Sequence, residues 1–171
     1  MKIYAANLAE YNSGRMVGDW ITPTDHETFD DFNKAIKKAT KNADEVAIHD
    51  YEDLPSWSFG EYPNMKKLYN FCHAAKDSHI ELNAIMAYAD NFHDSLNNND
   101  LIQDAENDYV GVFDNFKEYA EQYCYDVGDW QSIPQHLQYY FDMKSYSDDL
   151  EHSYMVLELP AYEGVAVFNN N

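Results

Sequence analysis

The sequence predicts an α+β fold laid out in three successive parts: a sheet with one helix, a helical middle, and a second, three-stranded sheet with helices. Three observations predict it. Short apolar runs bounded by turn residues lie near both ends of the chain and are missing from its middle. Stretches with apolar residues three and four apart fill the intervals. A proline-bearing break runs from Leu54-Pro55 to Tyr62-Pro63, where the pattern changes from mixed to helical.

In chain order, residues 2–8 read as a strand and 17–21 as its partner, with Asn12-Ser13-Gly14 as turn chemistry between them, since Gly and Asn tolerate positive φ. Thr24 and Glu27 form a capping box, in which the hydroxyl takes an orphan helix N–H and the carboxylate reaches back. Phe29, Phe32, Ile36 and Ala39 then fall on one helical face. Residues 45–51 return as a strand. After the break, Leu68, Tyr69, Phe71 and Cys72 mark one helix. Ser78 and Glu81 offer a second capping box before Leu82, Ile85, Met86, Ala89 and Phe92. Asn97-Asn98-Asn99 is a breaker, and a third helical element starts near Asp100. Residues 109–113 read as a strand. Asp114 is the expected cap of a helix carrying Phe116, Tyr119, Ala120 and Tyr123, ended by Gly128. Pro134 suits the first turn of a short helix over 135–140. Another helix covers roughly 142–150, and 154–159 with 164–168 form a closing hairpin around residues 160–163.

Charge narrows the function. The 171 residues hold 31 Asp+Glu against 11 Lys+Arg, a net charge of −20. Direct binding to nucleic acid or to an anionic membrane surface is excluded by like-charge repulsion. The chain is also rich in aromatics, at 16 % of residues, which separates it from disordered acidic tails. No stretch has the roughly 18 continuous apolar residues of a membrane span, and the start lacks the apolar core of a secretory signal. The two cysteines, Cys72 and Cys124, fit buried thiols in a reducing cytoplasm better than a disulfide framework. The acid is uneven. Residues 104–171 hold 14 acids and only two bases, Lys117 and Lys144. Self-repulsion of that size works against a compact fold, so the acid asks for a functional reason. It recurs between aromatics, as in Asp104, Glu106, Asp108 before Tyr109, or Asp114, Glu118, Glu121 and Asp126 among Phe116, Tyr119, Tyr123 and Tyr125. Such interleaving mounts carboxylates on a folded scaffold.

Chemistry of other kinds finds little support. Seven histidines lack the spacing of a zinc-binding helix. The acidic runs at 50–53 and 148–151 lack the Gly-centred spacing of a calcium loop. No phosphate-cradling Gly loop and no nucleophile motif is present. No metal, cofactor or catalytic residue is therefore expected. Ile133, Leu137, Tyr140 and Phe141, with Pro134, stand at helical spacing and suit either core packing or self-association.

Taken in order, the landmarks resemble a known family. Residues 3–8, Tyr11, Asn12, Gly14 and Gly18-Asp19-Trp20 resemble the opening of the ArdA antirestriction proteins. Residues 47–52 with Leu54-Pro55 resemble their next landmark. Ile133-Pro134, Leu137, Tyr140-Phe141-Asp142, Tyr146 and Asp149-Leu150 resemble the family's antirestriction segment. Asp53 before Leu54, Met143-Lys144 after Asp142 and the asparagine run depart from the pattern. The resemblance implies an elongated protein of three small domains, 1–61, 62–104 and 105–171, forming a homodimer through the last. It implies a cytoplasmic mimic of B-form DNA, carried on conjugative plasmids and transposons. Such a mimic blocks the DNA cleft of type I restriction–modification enzymes, at their methyltransferase core, stoichiometrically and without catalysis.

The expected phosphate-mimicking set is Asp104, Glu106, Asp108, Asp114, Glu118, Glu121, Asp126, Asp129, Asp142, Asp148, Asp149 and Glu151. B-DNA carries one phosphate charge per ~1.7 Å of axis, so twenty charges match roughly 34 Å of duplex. Two other readings compete. One is an acidic adaptor for another basic DNA-binding protein, such as a nucleoid protein or a Cas effector. The other is a carboxylate-based hydrolase, which needs a concave pocket with a raised carboxyl pKa.

Overall fold

The computed structural model describes residues 1–55, 59–92, 100–160 and 163–170. The asparagine breaker at 97–99 and part of the 160–163 turn lie outside them.

The first sheet has three antiparallel strands, β1 (Lys2–Asn7), β2 (Gly18–Ile21) and β3 (Val46–Glu52), in the order β2-β1-β3. Between β1 and β2 the chain makes one helical turn, α1 (Leu8–Asn12), capped by Asn7, before Gly14 turns it at φ +77. Helix α2 (Phe29–Ala39) buries Phe32 and Ile36, with Phe29 and Ala39 packed beside them. Its ends obey the helix dipole: Asp30 and Asp31 open it, Lys37 and Lys38 close it.

The middle consists of α3 (Met65–Asp77), α4 (Leu82–Asn91) and α5 (Leu101–Asp108). The second sheet comprises β4 (Tyr109–Phe113), β5 (Tyr154–Glu158) and β6 (Val165–Asn169), all antiparallel in the order β4-β6-β5. Between β4 and β5 run α6 (Phe116–Asp126), the short α7 (Asp129–Ser132) and α8 (Met143–Glu151).

This second sheet is buried on both faces, and its residues divide by the two-residue period of a strand. Tyr109, Val112, Met155, Leu157, Ala166 and Phe168 join a core cluster that continues through α4, α5 and α3 to Ile3, Ala5 and Ile48 of the first sheet. Val110, Phe113, Tyr154, Val156, Val165 and Val167 face the opposite way, onto Phe116, Tyr119 and Ala120 of α6 and Tyr146 and Leu150 of α8. Strict alternation would send Val110 and Val112 to the same side. A slip in register leaves Val110 without a paired position between Tyr109↔Phe168 and Gly111↔Val167, and this bulge moves the phase by one residue. A similar slip at His49 keeps both Ile48 and Tyr51 against the first core. At the start of β6, Gly164 has φ +100, and a Cβ there would lie 2.2 Å from the Phe113 carbonyl oxygen, so only glycine fits.

The chain exposes 10280 Å². A compact monomer of this length exposes about 8,700 Å², so this chain exposes more than most of its size.

Four local expectations need correction. The box on α2 is Thr28 with Asp31: the Thr28 hydroxyl accepts the Asp31 N–H at 3.1 Å and donates to its carboxylate at 2.8 Å. Thr24 instead sits in a 3-10 turn, Pro23–Asp25, which Pro23 initiates. Ser78 closes α3, and its hydroxyl donates to Glu106, so α4 begins at Leu82 without a side-chain cap. Asn115, one residue past Asp114, caps α6. Residues 135–137 form a turn and Gln138–Tyr140 a 3-10 helix, since the backbone closes by bonds three residues apart, from the Leu137, Tyr140 and Phe141 N–H groups to the Pro134, Leu137 and Gln138 carbonyls at 2.7, 2.9 and 3.2 Å. Elsewhere, the buried Cys72 and Cys124 are free thiols, as expected.

Replacing Thr28 with Ala should cost about 1 kcal/mol of stability, the usual value of a lost cap. Thr24→Ala should stay within about 0.5 kcal/mol. Urea unfolding of the two variants checks this directly.

Candidate functional site: a carboxylate face on three packed helices

Helices α6, α7 and α8 present the carboxylates of the chain's most acidic part. In α6 and α8 the apolar residues turn inward, onto the second sheet. In α6 the stripe Phe116, Tyr119, Ala120 and Cys124 is buried, which leaves Glu118 and Asp126 exposed and Glu121 half-buried. Asn115 Oδ1 accepts the Glu118 N–H at 3.2 Å, and Glu118 Oε2 accepts the Asp114 N–H at 2.9 Å, so the start of the helix is locked reciprocally. Gly128, at φ +86, ends the turn after α6 and lets α7 start at once. Asp129 then accepts the Tyr146 hydroxyl of α8 at 3.1 Å. Asp142 caps α8 by accepting the Ser145 N–H and hydroxyl at 3.1 and 2.8 Å. These bonds hold the Asp142 carboxyl below its ordinary value, the Ser145 N–H first among them. Asp148, Asp149 and Glu151 are exposed on the far turn of α8.

The only two cations of this region are spent locally. Lys117 lies 3.4 Å from Glu121 and Lys144 pairs with Asp148, both one helical turn away. Neither α6 nor α8 has a basic residue in its last turn. Asp126, and Asp148 with Asp149 and Glu151, instead occupy the negative ends of the helix dipoles. A carboxylate there costs about 0.3–1 kcal/mol.

The three acids of α5 are placed differently. They lie against the other face of the second sheet, half-buried. Glu106 accepts the Ser78 hydroxyl at 2.7 Å and stands 3.7 Å from His79 Nδ1. Asp108 accepts the Tyr88 hydroxyl at 3.3 Å. Asp104 is half-buried on the same helix. The twelve sequence-predicted acids therefore form two groups separated by the sheet: three on α5 and nine, from Asp114 to Glu151, on the side of α6, α7 and α8.

The segment between α7 and α8 is mostly exposed. Ile133 and Phe141 are half-buried, while Pro134, Leu137 and Tyr140 are exposed, Tyr140 at 78 %. Tyr139 is 90 % exposed and was missed by the helical spacing, which the 3-10 geometry does not follow. Among the described residues no group of three or more His, Cys, Asp or Glu is arranged to hold a metal ion. No helix among them is long and apolar enough to cross a membrane.

The decisive comparison is with protein families: the family model described as antirestriction protein (ArdA) matches residues 3–161. The chain belongs to the ArdA antirestriction family. That membership makes it an antirestriction protein, acting on restriction–modification systems, of a family not known as enzymes. A comparison with curated proteins gives no match. The match covers the first sheet from Ile3 onward, α1 to α8 with the carboxylate face, and strands β4 and β5, and it ends before β6.

Buried phenols should give this ArdA protein an alkaline limit. Burial pushes Tyr51, Tyr88 and Tyr146 up to about 12, with Asp108 and Asp129 adding to the effect on the last two. Tyr109 and Tyr119 are pushed up as well, first by burial. The folded state favours the neutral phenol, so stability is intact below the unfolded value of about 10 and falls as pH rises from there towards 12. Phenolate absorbance should show a late-titrating set that joins the other tyrosines once denaturant is added.

Proposed function

We propose that the protein inhibits type I restriction–modification enzymes by mimicking B-form DNA and occupying the cleft of their methyltransferase core. The observation that carries this reading is the siting of Asp126 on α6 and of Asp148, Asp149 and Glu151 on α8: exposed, fixed on helices, and set where the helix dipole disfavours them. Asp149 and Glu151 make no ion pair among the described residues. Acid that costs the fold energy is accounted for by a basic partner outside it. Carboxylates mounted on helices need none of the bending energy that duplex DNA requires, which favours the mimic over its competitor.

In this reading the segments 1–61, 62–104 and 105–171 carry the charge in succession. The last one joins two copies through the exposed Leu137, Tyr139 and Tyr140, residues of the kind enriched in interface cores. Inhibition is stoichiometric, and the protein acts in the cytoplasm of a cell receiving a mobile element. The hydrolase alternative needs a raised carboxyl. Among the described residues the carboxyls that move, Glu10, Asp31 and Asp142, all move down.

Purified protein should displace a duplex from a type I methyltransferase core, less effectively as salt rises. Neutralising Asp114, Glu118, Glu121 and Asp126 together should weaken displacement more than any one change. If a single Asp→Asn abolishes it while the fold survives, distributed mimicry is wrong. Tyr139→Ser with Tyr140→Ser should shift the sedimenting species from dimer to monomer, and an unchanged dimer places the contact elsewhere.

A further inference from the structure

A strand at the edge of a sheet offers its outward N–H groups to any second strand that approaches. In the first sheet β2 and β3 are the edges. Which donors point outward follows from the register. The Asn7 N–H bonds the Val17 carbonyl at 2.8 Å, so Asn7, Ala5 and Ile3 of β1 face β2, and Asp19 and Ile21 face back. Trp20, opposite Tyr4, therefore turns its N–H away from β1. Tyr4 and Trp20 are a pair without mutual backbone bonds, whose rings meet edge-on with centroids 5.6 Å apart.

That outward donor is already taken. Asp19 Oδ1 accepts the Trp20 N–H at 2.8 Å. Strand β3 repeats the arrangement. Tyr4 faces β3 opposite Asp50, so the next N–H, that of Tyr51, points outward, and Asp50 Oδ1 accepts it at 2.8 Å. Earlier in β3, before the slip at His49, the Ile48 N–H goes to the Glu61 carbonyl at 2.8 Å. The Tyr51 hydroxyl ties down the same covering segment by donating to the Gly60 carbonyl at 2.5 Å. On each edge an exposed aspartate thus stands directly before the aromatic residue whose N–H it holds.

Neither aspartate makes an ion pair among the described residues. Edge β2 also carries apolar surface that favours association: Trp20 is 41 % exposed and Met16, just ahead of the strand, 73 %. An exposed aromatic beside an open backbone edge is a place where chains add to one another. Here an incoming strand has to pull each carboxylate out of a charge-assisted bond and then set its own carbonyl oxygens beside it.

We propose that Asp19 and Asp50 are stoppers that keep the first sheet from adding a strand of a second copy, edge β2 against edge β2 about a two-fold axis. The strand excluded is the chain's own because such a pairing is self-complementary: each copy brings the same segment, Gly18 to Ile21, with the same exposed indole. The two residues act through the hydrogen bond they accept. Net charge by itself does not single them out, since 29 other acids remain when both are removed from the 31. The inference is independent of the function proposed above, and it leaves any joining of copies to other surfaces.

The test separates the bond from the charge. Asp19→Ala with Asp50→Ala removes both. Asp19→Asn with Asp50→Asn removes the same two charges and keeps an oxygen acceptor. Sedimentation velocity compares the two variants with the native protein at matched concentrations, and circular dichroism with thermal melting confirms that each is folded. The Ala variant should sediment at about twice the native mass or more, as expected when edges join in pairs. The Asn variant should sediment as the native protein does. An Ala variant that sediments like the native protein overturns the proposal. Equal association of both variants overturns it too, because charge is then what keeps copies apart. Amide exchange of the native protein reads the bonds without any variant. The Trp20 and Tyr51 N–H groups should exchange roughly tenfold more slowly than in an unstructured peptide, as for one hydrogen bond to a charged group. If they exchange at the unstructured rate, the proposal falls even where the Ala variant fails to fold.

Discussion

Repulsion between like charges is the constraint to which the rest of this structure answers. Two exposed carboxylates 4 Å apart in water repel by about 1 kcal/mol, and the region from 104 onward holds 14 acids with two local cations. Apolar burial has to outweigh that. A buried Phe or Leu contributes about 1.5–3 kcal/mol, and the second sheet collects such residues on both faces. The aromatics that alternate with acid along α6 are thus the means by which the acid is held in a helix at all. Phe116 and Tyr119 anchor the helix whose opposite side carries Glu118 and Asp126.

Strand positions were legible in the sequence because short β-branched and aromatic runs between turn residues allow few other structures. All six expected strands are present within a residue or two of their expected limits. Which face each residue takes was not legible at the bulges. Val110 and His49 shift the phase through hydrogen bonds to partner strands, and no local pattern encodes those. Helix starts failed for another reason. A hydroxyl or Asp followed by an acid three or four residues on recurs several times in an acidic chain. Thr24-to-Glu27 and Thr28-to-Asp31 are equally good patterns, and Pro23 decides between them by committing Thr24 to a 3-10 turn.

The carboxylate set was readable as residues and unreadable as a surface. Asp104, Glu106 and Asp108 precede β4 and Asp114 follows it, so the sequence runs them together. The strand carries the chain across the sheet, and the acids of α5 and α6 end on opposite sides, one group bonded to Ser78 and Tyr88 and the other facing outward. Tyr139 escaped for a related reason. Helical spacing selected Leu137, Tyr140 and Phe141, and a three-residue turn rotates side chains differently from a 3.6-residue one.

The apolar seam that runs from Ile3 through α3, α4 and α5 to Phe168 has a mechanical consequence. Segments that share buried side chains across each junction resist flexing as a beam does, whereas beads on a linker swing freely. A partner that meets one end of this seam therefore meets a surface already tied to the other.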